Sequence, residues 1–456
     1  MEDRSRGAEI PFMKHVHFIG ICGVAMSALA IACKKADWHV TGSDAGFFPP
    51  VSTALTHAGI SFYPGWHPEK MGIPDLVVVG NVASSTNPEW LVVQEKKIPY
   101  LSYPEFIAKY LVKPISVVCA GTYGKTTSAA LLTWILTQAG KNPSYLFGGL
   151  AIDAFDSAAL TDSDISVLEG DEYKSARWDN RPKFAHYSPT HLILTGISWD
   201  HADVYPTEES YKKVFAELLQ SVPKNGVVIA AGKTYGSDAN LPWRYENVNS
   251  PPQGIAFAIV HDKKTYHVES PMLGEYQAAN ITGCFAMAHA LGIDAETTIA
   301  AIKNFQGLKR RLEKRLDGPI TIFDDIAHSP AKAKATLATL RKIYSGKIVA
   351  VFEPNTGNRK TIALSSYADA FNNANEVIIP ALTKIKKDVN DEGATMDGEG
   401  LCAVIGKIHH NAQYIGDDVK LIDHIRRIVQ SGDVVVFLGS HGFRGIIDVL
   451  IKKLHL

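Results

Sequence analysis

The sequence has no C-x-x-C pair, and its five cysteines, Cys22, Cys33, Cys119, Cys284 and Cys402, are scattered and odd in number. That argues against a disulfide framework and against a thiolate zinc site, and it fits a reducing cytoplasm. Long apolar runs are missing too. No stretch approaches the roughly 18 residues of a membrane span, and the first dozen residues are polar, without the apolar core of a secretion signal. The expectation is a cytoplasmic protein with no membrane association and a loose N-terminal tail. Charge of one sign is also absent, since 46 Lys and Arg meet 47 Asp and Glu. No overall field draws nucleic acid or an anionic surface, so anionic ligands must be held locally. What remains is 456 residues, 46% hydrophobic and 20% charged, a soluble chain long enough for about three domains.

One stretch organises the rest: Cys119-Ala120-Gly121-Thr122-Tyr123-Gly124-Lys125-Thr126-Thr127, after the apolar run 115–118 and ahead of a helical pattern over 128–136. Two glycines allow a tight turn with inward N–H groups, and the following helix brings its positive end to the same point. Lys125 can reach terminal phosphate oxygens and Thr126 can face a metal ion, a set that suits ATP with Mg2+. The ordinary pattern G-x-x-x-x-G-K-[ST] is not met, because Cys119 stands where its first glycine would be.

Ahead of this loop, His15-Val16-His17-Phe18-Ile19 reads as a strand, Gly20-Ile21-Cys22-Gly23 as a turn into a small-residue helix, and 39–41 as a second strand ending in Gly42-Ser43-Asp44. This is the layout of a Rossmann half, without a strict G-x-G-x-x-G. Cys22 occupies the place where a glycine would let the backbone close on a dinucleotide, which favours the diphosphate of a nucleotide sugar over NAD. A further strand, 75–80, ends at Asn81.

Beyond the loop, the strand 165–168 runs into Glu169-Gly170-Asp171-Glu172, whose carboxylates suit Mg2+. The strand 190–195 leads to Trp199-Asp200-His201-Ala202-Asp203, where His201 is either a hydrogen-bonded structural histidine or a ligand. Residues 232–272 read as a small antiparallel appendage. Asn280, on an alanine-rich helix, carries an amide suited to adenine or an ordinary packing contact. Lys309-Arg310-Arg311 is either a solvated basic patch or a phosphate contact. A second doubly wound unit follows a junction near 315, with strands at 320–323, 347–352, 376–379 and 434–438. His441, between Ser440 and Gly442 at a strand end, is placed for ligand contact.

These pieces, in this order, resemble the Mur ligase family, ATP-dependent amide-forming enzymes of peptidoglycan synthesis. The resemblance implies three α/β domains: an N-terminal Rossmann-like UDP-sugar domain (13–112), a central P-loop ATPase-like domain (113–315) and a C-terminal Rossmann-like domain for ATP and the amine substrate (316–456). Gly121, Thr122, Gly124, Lys125, Thr126 and Thr127 resemble the family's ATP loop, with Tyr123 where close relatives often carry His. It further implies Mg2+ held by Thr126, Glu172 and His201, with Glu169 as an alternative ligand. Asn280 falls at adenine, with Gln277 replacing a common Asn, Arg311 at the ATP phosphates and Asp325 at ribose. Gly20, Gly23, Ser43, Asp44 and Asn81 fall at the UDP-sugar, and Ser440, His441 and Arg444 at the amine. Ser329 departs from the usual His-His-Pro, and Ala216 stands where several members carry a carbamylated lysine, so no carbamate is expected.

The N-terminal half resembles the branch acting directly on UDP-N-acetylmuramate. Three local features, Pro49-Pro50-Val51-Ser52-Thr53, Lys183-Phe184-Ala185-His186-Tyr187 and Glu353-Pro354, resemble the recycling member that attaches L-Ala-γ-D-Glu-meso-diaminopimelate. The reaction implied runs through an acyl phosphate, with Lys125, Glu172, His201 and Arg311 as the catalytic set. Attachment of L-alanine is the alternative, and an inactive nucleotide-dependent binding protein is the reading of a different class. A simple P-loop ATPase or kinase leaves the N-terminal half unexplained. A monomer or weak homo-oligomer is expected.

Overall fold

The computed structural model describes residues 15–47, 51–153, 155–199, 204–383 and 395–454. Asp200, His201 and Asp203, the expected tail, and Pro49 and Pro50 lie outside the described residues.

Strands β1 (His15–Ile19), β2 (His39–Asp44), β3 (Ser61–Pro64), β4 (Leu76–Val79) and β5 (Tyr100–Ser102) form a parallel sheet in the order β3-β2-β1-β4-β5. All four residues of β4, Leu-Val-Val-Val, are buried, as a strand covered on both faces requires. The order reverses between β1 and β4, which opens a crevice at their C-terminal ends beside the helix Val24–Lys35.

The central sheet takes β6 (Ile115–Ala120), β7 (Ser144–Leu146), β8 (Ala158–Ala159), β9 (Ile165–Gly170), β12 (His191–Leu194) and β13 (Val227–Ala230) in the order β13-β12-β6-β9-β7-β8. A hairpin, β10 (Lys174–Ala176) with β11 (Asp179–Pro182), leaves it after β9. Residues 232–272 supply β14 (Tyr235–Gly236), β15 (Trp243–Asn249), β16 (Ile255–His261) and β17 (Lys264–Ser270). β15 and β16 pair antiparallel as expected, while β14 joins β15 in parallel.

The first two sheets belong to one compact unit, made of residues up to 249, 256–271 and 276–306. A single apolar cluster runs through it from Val16, Phe18 and Phe106 to Leu168, Phe184 and Phe215. Trp178 of the hairpin turn stacks on Trp90 at 5.0 Å and 4°, fastening the hairpin to the first sheet's helix Pro88–Glu95.

The second unit comprises 250–255, 272–275 and the chain from Gly307. Its sheet uses β18 (Glu313–Leu316), β19 (Thr321–Asp325), β20 (Ile348–Glu353), β21 (Glu376–Pro380), β22 (Ala412–Ile415) and β23 (Val434–Gly439). The order is β18-β19-β23-β20-β21-β22, parallel except for β18. Residue 315 therefore lies inside a strand paired with β19, and the chain enters the second unit for the last time at 306/307. Successive side chains of β20 serve opposite cores: Ile348, Ala350 and Phe352 face one, Val349 and Val351 the other.

Phe352 is fully buried against Tyr367 and Phe371. Its replacement by Ala should destabilise the protein by about 3–5 kcal/mol, visible as a lowered transition in thermal denaturation.

Candidate nucleotide and substrate sites

β6 ends at the phosphate-type loop. Gly121 has φ +132° and Gly124 φ +83°, both in the left-handed half of the map that side chains avoid. Space excludes side chains as well: a Cβ at Gly121 would stand 2.2 Å from Thr195 Oγ1, and one at Gly124 2.3 Å from Asn280 Oδ1. Cys119 sits two residues earlier, in extended strand, where a side chain is tolerated; burial pushes its thiol well above the usual range. Thr122 braces the loop, its hydroxyl donating to Ser198 O at 2.7 Å and accepting from Ser198 N at 2.9 Å. Thr127 is buried in the first turn of the helix Lys125–Gln138.

Lys125 reaches both oxygens of Glu172, at 2.9 and 2.7 Å, with the Glu172 side chain 1% exposed. Burial opposes the ammonium's charge, but the Glu172 and Glu169 carboxylates outweigh it and hold Lys125 above its ordinary pKa. Thr126 Oγ1 donates to Glu169 Oε1 at 2.6 Å, and Glu169 Oε2 accepts from Gly148 N at 2.6 Å. Asp171 accepts from Lys183 Nζ at 2.5 Å and from Tyr173 N at 2.9 Å. Burial alone would raise its pKa; Lys183 chiefly brings it below the ordinary value.

The ends of β6 and β9 thus gather two lysines, one hydroxyl and three carboxylates. Hard oxygen donors of this kind suit Mg2+, and two glycines whose Cβ would collide make the loop a cradle for phosphate, so the residues present fit both groups. Among the described residues no three His, Cys, Asp or Glu side chains converge as a metal-ligand set, and the expected ligand His201 lies outside them. Glu169, weighed in the sequence only as an alternative, is the carboxylate that Thr126 meets. It stands level with Cys119 on the neighbouring strand, a register that the strand-end position of Glu169 hinted at. Asn280 packs on Gly124 and donates to Gln277 Oε1 at 2.9 Å, so the Gln277 departure is accommodated by a local amide pair.

At the first sheet's crevice, Gly20, Cys22, Gly23, Asp44, Gly80 and Asn81 help line a cavity of about 540 Å³. Asp44 accepts from Cys22 N at 2.8 Å, and burial together with Asp44 pushes the Cys22 thiol up to about 12. Ser43 is not part of this cavity, contrary to expectation. β2 continues through Asp44, so alternation turns Ser43 inward, fully buried, to donate to Glu89.

In the second unit, Asp325 is buried and its carboxylate accepts from Leu312 N at 2.7 Å, Ala327 N at 2.9 Å and Thr336 Oγ1 at 3.3 Å. Burial raises its pKa. In this structure the carboxylate braces the segments around residues 312, 327 and 336. Arg311 is exposed, whereas Arg310 turns toward β23 and donates to Ser440 O at 3.0 Å and His441 O at 2.8 Å. Ser440 Oγ lies 3.0 Å from His441 Nδ1, and the His441 ring is exposed. Arg444 is held by Asp418 at 3.0 and 2.7 Å, with φ +52°. Ser329 caps the helix Pro330–Ile343 through Lys332 N.

Gly124→Ala should weaken nucleoside triphosphate binding about tenfold or more, since the left-handed backbone costs an L-residue roughly 1–2 kcal/mol and Asn280 must move as well. Gly140, at φ +72° with nothing within 4 Å of its Cβ position, supplies the control; calorimetric titration should show Gly140→Ala binding like the unaltered protein. A second expectation concerns Asp324, whose pKa burial raises from 3.8 to about 6 despite Arg310. The folded state binds more protons between those values, so this group's stabilising contribution is full below the lower value and is lost as pH rises to the upper one. Melting curves of Asp324→Asn should lack that fall.

The sequence matches the Mur ligase family catalytic domain over residues 15–112, the Mur ligase middle domain over 119–288 and the Mur ligase glutamate ligase domain over 310–441. A Haemophilus influenzae protein named UDP-N-acetylmuramate–L-alanyl-γ-D-glutamyl-meso-2,6-diaminoheptandioate ligase is 31% identical over 97% of this chain and 100% of its own. Among solved structures, a murein peptide ligase from Psychrobacter arcticus is 28% identical, with a TM-score of 0.69 over 97% of this chain and 98% of that one. The UDP-N-acetylmuramate-alanine ligase of Thermotoga maritima superposes with a TM-score of 0.79 over 97% and 99%, but at 21% identity it speaks to fold alone. With relatives of this kind matching from end to end, the chain belongs to the Mur ligase family.

Proposed function

We propose that this protein is an ATP-dependent, ADP-forming ligase that joins UDP-N-acetylmuramate to L-Ala-γ-D-Glu-meso-diaminopimelate in the cytoplasm. The observation that carries the reading is the pairing, within one compact unit, of a crevice cavity at a helix N-terminus with the Lys125 loop and its carboxylates. The choice of amine is supported by the relatives. The Haemophilus influenzae protein named for the tripeptide is 31% identical, while a Dictyoglomus turgidum protein named UDP-N-acetylmuramate–L-alanine ligase is 28% identical.

The chemistry is governed by charge. A sugar-borne carboxylate must approach the γ-phosphate of ATP, and two like unit charges about 4 Å apart at an effective dielectric of ~20 repel by ~4 kcal/mol, roughly three decades in rate. Lys125 is the cation placed to cancel this, and to do so it exchanges the Glu172 oxygens for phosphoryl oxygens. Thr126, Glu169 and the released Glu172 would hold Mg2+ through oxygen, and the ion would supply neutralisation of phosphoryl charge. The N–H groups of residues 121–126 and the helix N-terminus orient the phosphates. Attack yields an acyl phosphate and ADP; the peptide amine then attacks the acyl carbon, and phosphate leaves. In our reading Arg311 faces the ATP phosphates in the first stage, and the Ser440–Arg444 loop belongs to the second.

Phosphate release from ATP with UDP-N-acetylmuramate should depend on the tripeptide and far less on L-alanine at matched concentration. Lys125→Ala should abolish release while UDP-N-acetylmuramate still binds. Alanine-dependent release would assign the other branch of the family, and no release with either amine would point to another amine or to a nucleotide-gated binding protein.

A further inference from the structure

Arg310 has the densest set of polar contacts around the exit of β23, and the reaction as derived so far gives it no task. Its guanidinium engages three successive carbonyls, those of Gly439, Ser440 and His441, and its Nε donates to Asp324 Oδ1 at 3.3 Å. The main chain is fixed as firmly: Arg310 N donates to Glu313 Oε2 at 2.8 Å and its carbonyl accepts from Ile326 N at 2.8 Å. Arg310 itself sits at φ +59° and Leu312 at φ +49°, left-handed positions that persist only where the surroundings over-determine them. The segment is therefore shaped to deliver this one side chain.

In a trans peptide the N–H points opposite to the C=O. The Ser440 N–H falls to the β20–β23 ladder, since Glu353 pairs with Gly439 and Pro354 has no N–H to give, but drawing the carbonyls of Ser440 and His441 toward one guanidinium turns the N–H groups of His441 and Gly442 the other way, a pair of donors of the kind that receives a carboxylate. A planar fork can serve three carbonyls at once, whereas a lysine ammonium is a single point and cannot span them. We propose that Arg310 is the positioning residue of the amine-accepting loop, holding residues 439–442 so that the N–H groups of His441 and Gly442 meet a carboxylate of the incoming peptide. The proposal rests on the functional reading above, in which this loop receives the amine.

The test compares the full-length protein with Arg310→Lys, which keeps a cation beside Asp324, and with Arg310→Met. In steady-state phosphate release, Arg310→Lys should raise the KM for the tripeptide about tenfold or more, the loss of one to two hydrogen bonds of the charge-assisted kind. The KM values for ATP and UDP-N-acetylmuramate should stay within about twofold, by the same scale. Acyl phosphate formation without amine, read by positional isotope exchange in ATP, should persist in both variants. Tripeptides with one carboxylate amidated at a time give a second readout: one of them should raise the KM of the unaltered protein and add little in Arg310→Lys. An unchanged tripeptide KM in Arg310→Lys would overturn the proposal. So would a joint rise of all three KM values with a lowered melting temperature, which is what a mere brace would produce. If the unaltered protein uses neither amine, the functional reading itself has failed, an outcome distinct from the other two.

Discussion

Lys125 and Glu172 form an ion pair withdrawn from water, the lysine side chain 17% and the glutamate 1% exposed, and charges so placed are costly unless paired. Much of the central sheet's upper edge serves this pair. The glycine conformations at 121 and 124, the Thr122 brace on Ser198 and the hydroxyl of Tyr211 near Glu172 fix where the lysine starts and where the carboxylate ends. Glu172 is matched in charge and hydrogen bonding, so a phosphoryl group can take over the lysine by exchange rather than by desolvating a bare cation. The lysine would exchange one anionic partner for another without passing through an unpaired state.

The same logic recurs at each parallel sheet. Gly20, Asp44 and Gly80 stand at strand exits of the first, Gly121 and Glu169 at those of the second, Asp325 and Gly439 at those of the third. A parallel arrangement places strand exits and helix N-termini on one edge, so polar residues accumulate there while the strand interiors remain apolar. The buried runs Leu76–Val79 and Val434–Gly439 show the division.

How far the sequence alone reveals this depends on the range of the interaction. Gly121, Gly124 and Lys125 were readable because backbone turn, helix start and side chain lie within a few residues. The three α/β sheets were readable because apolar runs alternate with helical patterns and polar strand exits. Ser43 was misread through a boundary: ending the strand three residues early conceals that alternation sends it to Glu89. Glu169 and Glu172 sit three residues apart, and only the register of β9 against β6 shows that Thr126 meets the former. Asp325 carries a recognisable place in the pattern, but its three hydrogen-bond donors come from residues 312, 327 and 336, which no local reading assembles. Arg310 was least legible, for its carbonyl partners lie some 130 positions along the chain.

The continuous apolar cluster joining the first two sheets makes them one thermodynamic body as well as one structural unit. Any ligand that binds only the folded form stabilises it by an amount set by its concentration over its dissociation constant, about 2.7 kcal/mol at a hundredfold excess. A sugar nucleotide seated by Gly20 and Asp44 would thereby protect the Lys125 loop from global unfolding of the shared body without touching it. The two sheets would then gain stability together, with no signal passed from residue to residue.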